Sequence, residues 1–367
     1  MEDHPAVPQA LLAQSRYCLA GGSPLNAAIL ERAAEDWTLG GPVRSLMQPW
    51  ADADVAAQFA AATPLRLIAA LHELALSGDD PALSAAYRTL DARAIWAAAG
   101  PAMIERHDRL AAFMAHEPQT NEVRRSICLV GGFLQVAAAT GLPLRCFEIG
   151  ASAGLNSLWD RYHYSFGPLD SAPHWGDPAA GVAMDTDWQG PPPATGAQVR
   201  VIARAACDRR PTDLRDPDQR RRLLAYIWAD QTERLARICS AIDLALAAGV
   251  TVDAADAVTW TQGRVAPQAG AATVLFHSVF WQYMPPRTQA ALRQAIEQIG
   301  ARAAADAPFA WLRMEPSPES LVVMQVRLTL WPGGEDRLLA ETHPHGAYVR
   351  WMAPEPPRKS DTWAKLT

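Results

Sequence analysis

The 367-residue sequence predicts an α/β protein, with a doubly wound sheet that ends in an antiparallel hairpin and follows an all-helical N-terminal domain. Three observations carry this reading. Residues 1 to about 140 show Ala and Leu at three- and four-residue spacings with no strand pattern, the mark of helices. From 144 to 315, short apolar runs rich in β-branched residues alternate with amphipathic stretches, as in a parallel sheet with helical crossovers. Leu321 to Trp331 and Leu338 to Glu341, split by Gly333-Gly334, then read as a hairpin, with a last short strand at Tyr348 to Met352.

In the first part, helices are expected over 53–62, 64–77, 81–99 and 102–115, where Thr63-Pro64 and Asp80-Pro81 supply a cap and a first turn. A further helix is expected to begin after Pro118, with Gln119-Thr120-Asn121-Glu122 as its polar head, and to run to about Thr140. Those polar groups either cap free amides or line a pocket; Gln119, Asn121 and Glu122 are therefore candidates for an acceptor site. The division falls at 118/119: a helical domain over 1–118, a sheet domain over 119–353 with a Pro- and Gly-rich insertion near 167–197, and a charged tail over 354–367 expected to be mobile.

The sheet domain opens with Leu144-Arg145-Cys146-Phe147-Glu148-Ile149, a buried-strand pattern ending in an acid, followed by Gly150-Ala151-Ser152-Ala153-Gly154-Leu155-Asn156. Small residues after a first strand form a tight turn at which a ligand closely approaches the backbone, and an acid there accepts hydrogen bonds from hydroxyl or ammonium groups. Leu155 to Tyr164 is expected to continue as a helix packed on the sheet. Val199 to Ala203 starts the second strand, which ends at Asp208, a candidate for ribose hydroxyls or else a turn former. A long helix, or two with a break near Ala229-Asp230, runs from Asp216 to Ala248, and a third strand ends at Asp256-Ala257. Ala272 to Phe276 is the fourth strand and turns polar at His277-Ser278, which places His277 and Ser278 at the same end of the sheet as Gly150. With Trp281 and Tyr283 beside it, His277 is the candidate general base, and Tyr283 a candidate wall of the acceptor site. Phe309 to Glu315 is the fifth strand.

Acid, one residue, Gly, then a second Gly four residues on resembles the first motif of S-adenosylmethionine (SAM) methyltransferases, and the terminal hairpin is similar to the ending of their class I, Rossmann-like fold. That resemblance implies a SAM site built from Glu148, Gly150, Ala151, Ser152, Gly154, Asn156, Asp208, Asp256, Ala257, His277 and Ser278. Glu148 to Asn156, with Gln119-Thr120-Asn121-Glu122 upstream and His277 to Tyr283 downstream, also resembles an uncharacterised bacterial family, domain of unknown function 2332, over nearly the whole chain. Asn26 and Ala229 depart from that family's pattern, where an aromatic residue and a proline are usual.

Composition narrows the function. A net charge of −6 and a pI near 5.9 leave no general basic field, so a small-molecule acceptor is expected and nucleic acid is not. Cys18, Cys128, Cys146, Cys207 and Cys239 have no paired spacing and read as reduced core thiols, and no uncharged apolar run approaches 18 residues, so a cytoplasmic protein with no membrane partner is expected. His343-x-His345 lacks a third ligand nearby, so no metal is expected. The leading expectation is a SAM-dependent methyltransferase. A non-catalytic SAM- or nucleotide-binding module with a partner-binding helical domain is the alternative. Gly150-Ala151-Ser152-Ala153-Gly154 also fits the G-x-S-x-G elbow of Ser hydrolases, but only helices precede it here, whereas an elbow normally follows a central strand.

Overall fold

The computed structural model describes residues 6–167 and 172–354. Helices come first: α1 (Ala6–Ala20), α2 (Pro24–Leu39), α3 (Pro42–Met47), α4 (Val55–Ala60), α5 (Thr63–Ser77), α6 (Pro81–Thr89), α7 (Ala92–Glu105) and α8 (His107–Met114). Then α9 (Arg125–Thr140) leads into β1 (Leu144–Ile149). Four short strands, β2 (His163–Ser165), β3 (His174–Trp175), β4 (Ala183–Asp185) and β5 (Asp187–Gln189), precede β6 (Val201–Asp208), α10 (Pro217–Ala225), α11 (Thr232–Ala247) and β7 (Asp253–Ala254). The last elements are α12 (Ala257–Arg264), β8 (Ala272–Ser278), α13 (Pro286–Gly300), β9 (Phe309–Ser317), β10 (Ser320–Trp331), β11 (Glu335–Thr342) and β12 (Tyr348–Trp351).

The chain divides into two compact units. One comprises the residues up to Thr120 together with Leu214–Ile238; the other holds Asn121–Asp213 and the chain from Cys239 on, so that the division falls inside α11. In the helical unit, Asp54, Asp80 and Asp91 each accept a hydrogen bond from an amide three residues on and so start α4, α6 and α7. The expected single helix over 81–99 is two, because Leu90 adopts φ +54° and Asp91 caps anew. The return of α10 to this unit has a polar reason. Buried Glu73 accepts from Arg109 Nη2 at 3.0 and 3.1 Å and from Arg221 Nε at 2.6 Å. Asp230 accepts from Ser23 Oγ at 2.6 Å and from the Leu25 amide at 3.1 Å. The amphipathic pattern of 216–248 predicts the helices and their break, but not which unit the first of them joins.

The second unit is a mixed α/β structure around a mostly parallel nine-stranded sheet of order β5-β12-β11-β10-β9-β8-β1-β6-β7. Strands β7, β6, β1, β8 and β9 run parallel, so the order reverses between β1 and β8, the position where α/β sheets leave a crevice at the carboxyl ends of their strands. The expected hairpin is part of a longer meander, because β9, β10, β11 and β12 pair antiparallel in succession. The 167–197 stretch does more than form a surface insertion: β3 and β4 pair with β2 in a small sheet, and β5 joins the main sheet beside β12.

Two layers cover the sheet. Glu148 is register partner to Phe276, and side chains of paired residues in a parallel ladder share a face. That face carries α9, where Phe133 meets Phe276 edge-on and stacks on Trp159 at 3.9 Å. The other face carries Phe147, Ile149, Leu275 and Trp311, packed on Trp260 of α12 and on Leu292 and Ile296 of α13. Two expectations change here. Helix α9 begins at Arg125, not after Pro118, so Gln119 to Glu122 form no helix head. The segment after the glycine loop is a 3-10 helix, Leu155–Arg161, broken at Leu158. Ser157 Oγ donates to Gly154 O at 2.6 Å and Arg204 Nη1 donates to Ser157 O at 2.7 Å, which turns that carbonyl away from an α-helical ladder. The tail from residue 355 lies outside the described residues.

Candidate functional site

The loop after β1 is buried and held by its own chain. Ala151 N–H donates to Cys207 O at 3.1 Å, Gly154 N–H to Ala151 O at 2.8 Å, and Leu155 N–H to Asn121 Oδ1 at 3.1 Å. Ser152 N–H donates to Asp208 Oδ2 at 2.9 Å, and Ser152 O accepts from Thr212 N–H at 3.1 Å. With those four amides already engaged, the loop does not cradle a phosphate through them, as an open glycine loop would.

The loop gathers acceptors instead. Glu148 is 3% exposed and its Oε2 has no hydrogen-bond partner; Ser152 Oγ and Asn156 Oδ1 are likewise buried and unpartnered. Burial, reinforced by the negative charge of Asp208, holds the Glu148 carboxyl well above the usual carboxylate range. Unsatisfied buried acceptors are costly, and native structures meet them with ordered water or another donor. Asn156 Nδ2 donates to Glu122 O at 3.3 Å and Glu122 Oε1 accepts from Arg124 N–H at 3.1 Å, which ties the segment before α9 to the loop. Asn121, Glu122, Glu148, Gly150, Ala151, Ser152, Gly154, Asn156 and Asp208 are thus brought together. Gln119 falls in the helical unit.

The remaining candidates lie elsewhere. Asp256 is exposed and caps α12, accepting from Val258 N–H and Thr259 N–H, and Ala257 is the first residue of that helix. The expected third strand shrinks to Asp253–Ala254, so Asp256 stands beyond the strand as a helix cap. His277 alternates with Phe276 and so points to the face opposite Glu148. Its ring is fully buried, with Nδ1 2.6 Å from Glu315 Oε1, and Nε2 accepts from Trp311 Nε1 at 3.1 Å. Both nitrogens are engaged, which leaves none to take a proton from an acceptor molecule, and no imidazole is hydrogen-bonded to Ser152 Oγ. Ser278 ends β8, and Tyr283 is 74% exposed at the end of the turn Trp281–Tyr283.

Two residues missed in the sequence matter. Glu315 accepts from Phe280 N–H at 3.0 Å as well as from His277, and the Phe280 ring lies against Gly150. Glu315 had a signal, an acid at the carboxyl end of a strand like Asp208; Phe280 had none. A hollow beside β6 and the segment leading into β7, lined by Ser157, Arg204, Val250, Asp253 and Arg264 among others, measures about 160 Å³, below the roughly 300–1,000 Å³ of a pocket for a drug-sized ligand, and holds none of the loop's unpartnered acceptors. A larger hollow of about 570 Å³ at Asp79 and Ile104 to Arg109 lies in the helical unit among charged surface groups and has none of this chemistry. Among the described residues no group of three or more His, Cys, Asp and Glu is placed to hold a metal, and no helix is long and apolar enough to cross a membrane. Four of the five cysteines are buried and Cys239 is exposed, which corrects the expectation of core thiols throughout.

Fold and site together define a mixed α/β protein with an acceptor-rich glycine loop at the reversal point of a mostly parallel sheet. The chain belongs to the family described as "Uncharacterized protein conserved in bacteria (DUF2332)", whose model it matches over residues 8–351. Comparison with curated proteins and with solved structures finds no match.

Proposed function

We propose that the chain binds SAM at the loop after β1 and transfers its methyl group to a small molecule. The observation that carries this is the buried Glu148 carboxyl, with an unpartnered oxygen at the end of the central parallel strand and Asp208 nearby. A site of acceptors favours a ligand that brings positive charge and N–H or O–H donors, as SAM does with its ammonium, sulfonium and ribose hydroxyls. Glu148, giving up its proton as the cation enters, and Asn156 Oδ1 would receive the ammonium. Asp208 spends one lone pair of each oxygen on Ser152 N–H and Arg210 N–H and keeps acceptor capacity for hydroxyls. Bound SAM would supply an electrophilic methyl group, so the protein's task is mainly to align an acceptor.

Calorimetric titration with SAM and S-adenosylhomocysteine tests the reading: both should bind, and Asp208→Asn should weaken binding by roughly 10- to 100-fold, as loss of a charged hydrogen-bond acceptor does. Wild-type protein that binds neither compound overturns it. Because both His277 nitrogens are engaged, the non-catalytic module remains the second reading; SAM binding without release of S-adenosylhomocysteine on any acceptor of a metabolite library would favour it.

A further inference from the structure

The glycine loop is covered by a strap from the next strand. A Cβ built on Gly150 would lie 2.6 Å from Phe280 Cγ and 3.0 Å from Phe280 Cβ, so the benzyl group sits directly on the Gly150 backbone. Just before it, Val279 has φ +51°, in the left-handed region that a β-branched residue avoids. Such a conformation persists only where the surroundings over-determine it. Val279 N–H donates to Met314 O at 2.8 Å, and Phe280 N–H donates to Glu315 Oε1 and Oε2 at 3.0 and 3.3 Å. Glu315 is fixed in turn by His277, whose ring stacks on Trp281 at 5.6 Å and is held from behind by Trp311.

We propose that Phe280 is the gate of the glycine loop, and that Glu315, oriented by His277, is the latch that holds it shut. The inference rests on the reading of that loop as a ligand site. It explains why His277 has both nitrogens occupied: it acts as a positioning residue for Glu315. A ligand that approaches Gly150 displaces the ring, and the strained Val279 relaxes when the strap lifts. The closed form lowers the apparent affinity by the fraction of open molecules.

Two measurements on the full chain test this. Amide hydrogen exchange reads the strap without any ligand: Glu315→Ala, and more weakly Glu315→Gln, should speed exchange at Phe280 and at Gly150 to Gly154 by about tenfold or more, while amides of Val274 to Phe276 stay protected and show that the sheet is intact. Calorimetry with SAM reads the gate: Phe280→Ala, or Phe280→Leu if the smaller side chain fails to fold, should tighten binding by about tenfold. Unchanged exchange in both Glu315 variants overturns the latch. Weaker SAM binding in a folded Phe280 variant overturns the gate and makes the ring part of the pocket wall. Accelerated exchange with no SAM binding to wild type or variant upholds the gate and fells the cofactor reading alone.

Discussion

Replacing Gly150 by alanine isolates the contact between loop and strap as a free energy. At φ +68° an L residue pays about 1–2 kcal/mol for the left-handed conformation. The new methyl must also displace the Phe280 ring, and overpacking of that kind costs about 1–3 kcal/mol. Gly150→Ala should therefore destabilise the wild type by about 2–5 kcal/mol, and the Phe280→Ala background by only about 1–2 kcal/mol, since the ring clash is gone and the backbone term, with a tight 3.0 Å contact to the remaining Cβ, is what stays. The double-mutant cycle, measured by urea unfolding followed by circular dichroism, should give a coupling of about 1–3 kcal/mol. Additive costs, with a coupling below about 0.5 kcal/mol, would refute the placement of Phe280 on Gly150.

Two further predictions concern pH. Glu148 keeps its proton in the native state to a higher pH than in the unfolded chain, so stability falls as pH rises from about 4.5 towards the raised native value, by up to about 1.4 kcal/mol per pH unit. Glu148→Gln should match the wild type below that window and exceed it at neutral pH; thermal unfolding curves with the same pH dependence in both proteins would contradict the burial argument. His72, in α5, is buried with its ring stacked on Tyr87 at 5.2 Å and Nδ1 3.2 Å from Ala225 O, and burial pushes its pKa from 6.5 down to about 4. The unfolded chain protonates first, so about 3 kcal/mol of stability should be lost as pH falls from 6.5 towards 4, and His72→Asn should remove most of that slope if the ring is neutral in the native state.

Much of this architecture was legible in the sequence, because apolar periodicity reports directly on burial. The glycine loop, the parallel strands at Leu144, Val201 and Ala272, the terminal hairpin and the break between α10 and α11 all follow from it. What it could not report is which partner an amphipathic face meets. Residues 216–225 fall within the expected 119–353 sheet domain, yet the acid Glu73, 148 positions before Arg221, draws them into the helical unit. Strand parity likewise sets Glu148 and His277 on opposite faces, although strand-end counting placed both in one crevice. At the site itself, Asp208 and Asn156 were visible as polar residues at a strand end and loop, but the strap was not. A left-handed valine has no sequence signature, and the contact of Phe280 with Gly150 joins residues 130 positions apart.

The helical unit's late return has a consequence for how the chain is made. During synthesis the first 120 residues are complete long before Arg221 and Asp230 exist, so Glu73 has Arg109 but not Arg221, and Ser23 lacks Asp230, while the next hundred or so residues are added. At about 5–20 residues per second that interval is on the order of ten seconds. Throughout it the nascent helices expose the surface that α10 will cover, and β1 with its glycine loop is already on the chain. The unit that begins first therefore cannot close on its first segment alone: it waits on residues 214–238, and a chain that stops at Thr120 would leave a bundle whose Glu73 lacks Arg221 and whose Ser23 lacks Asp230.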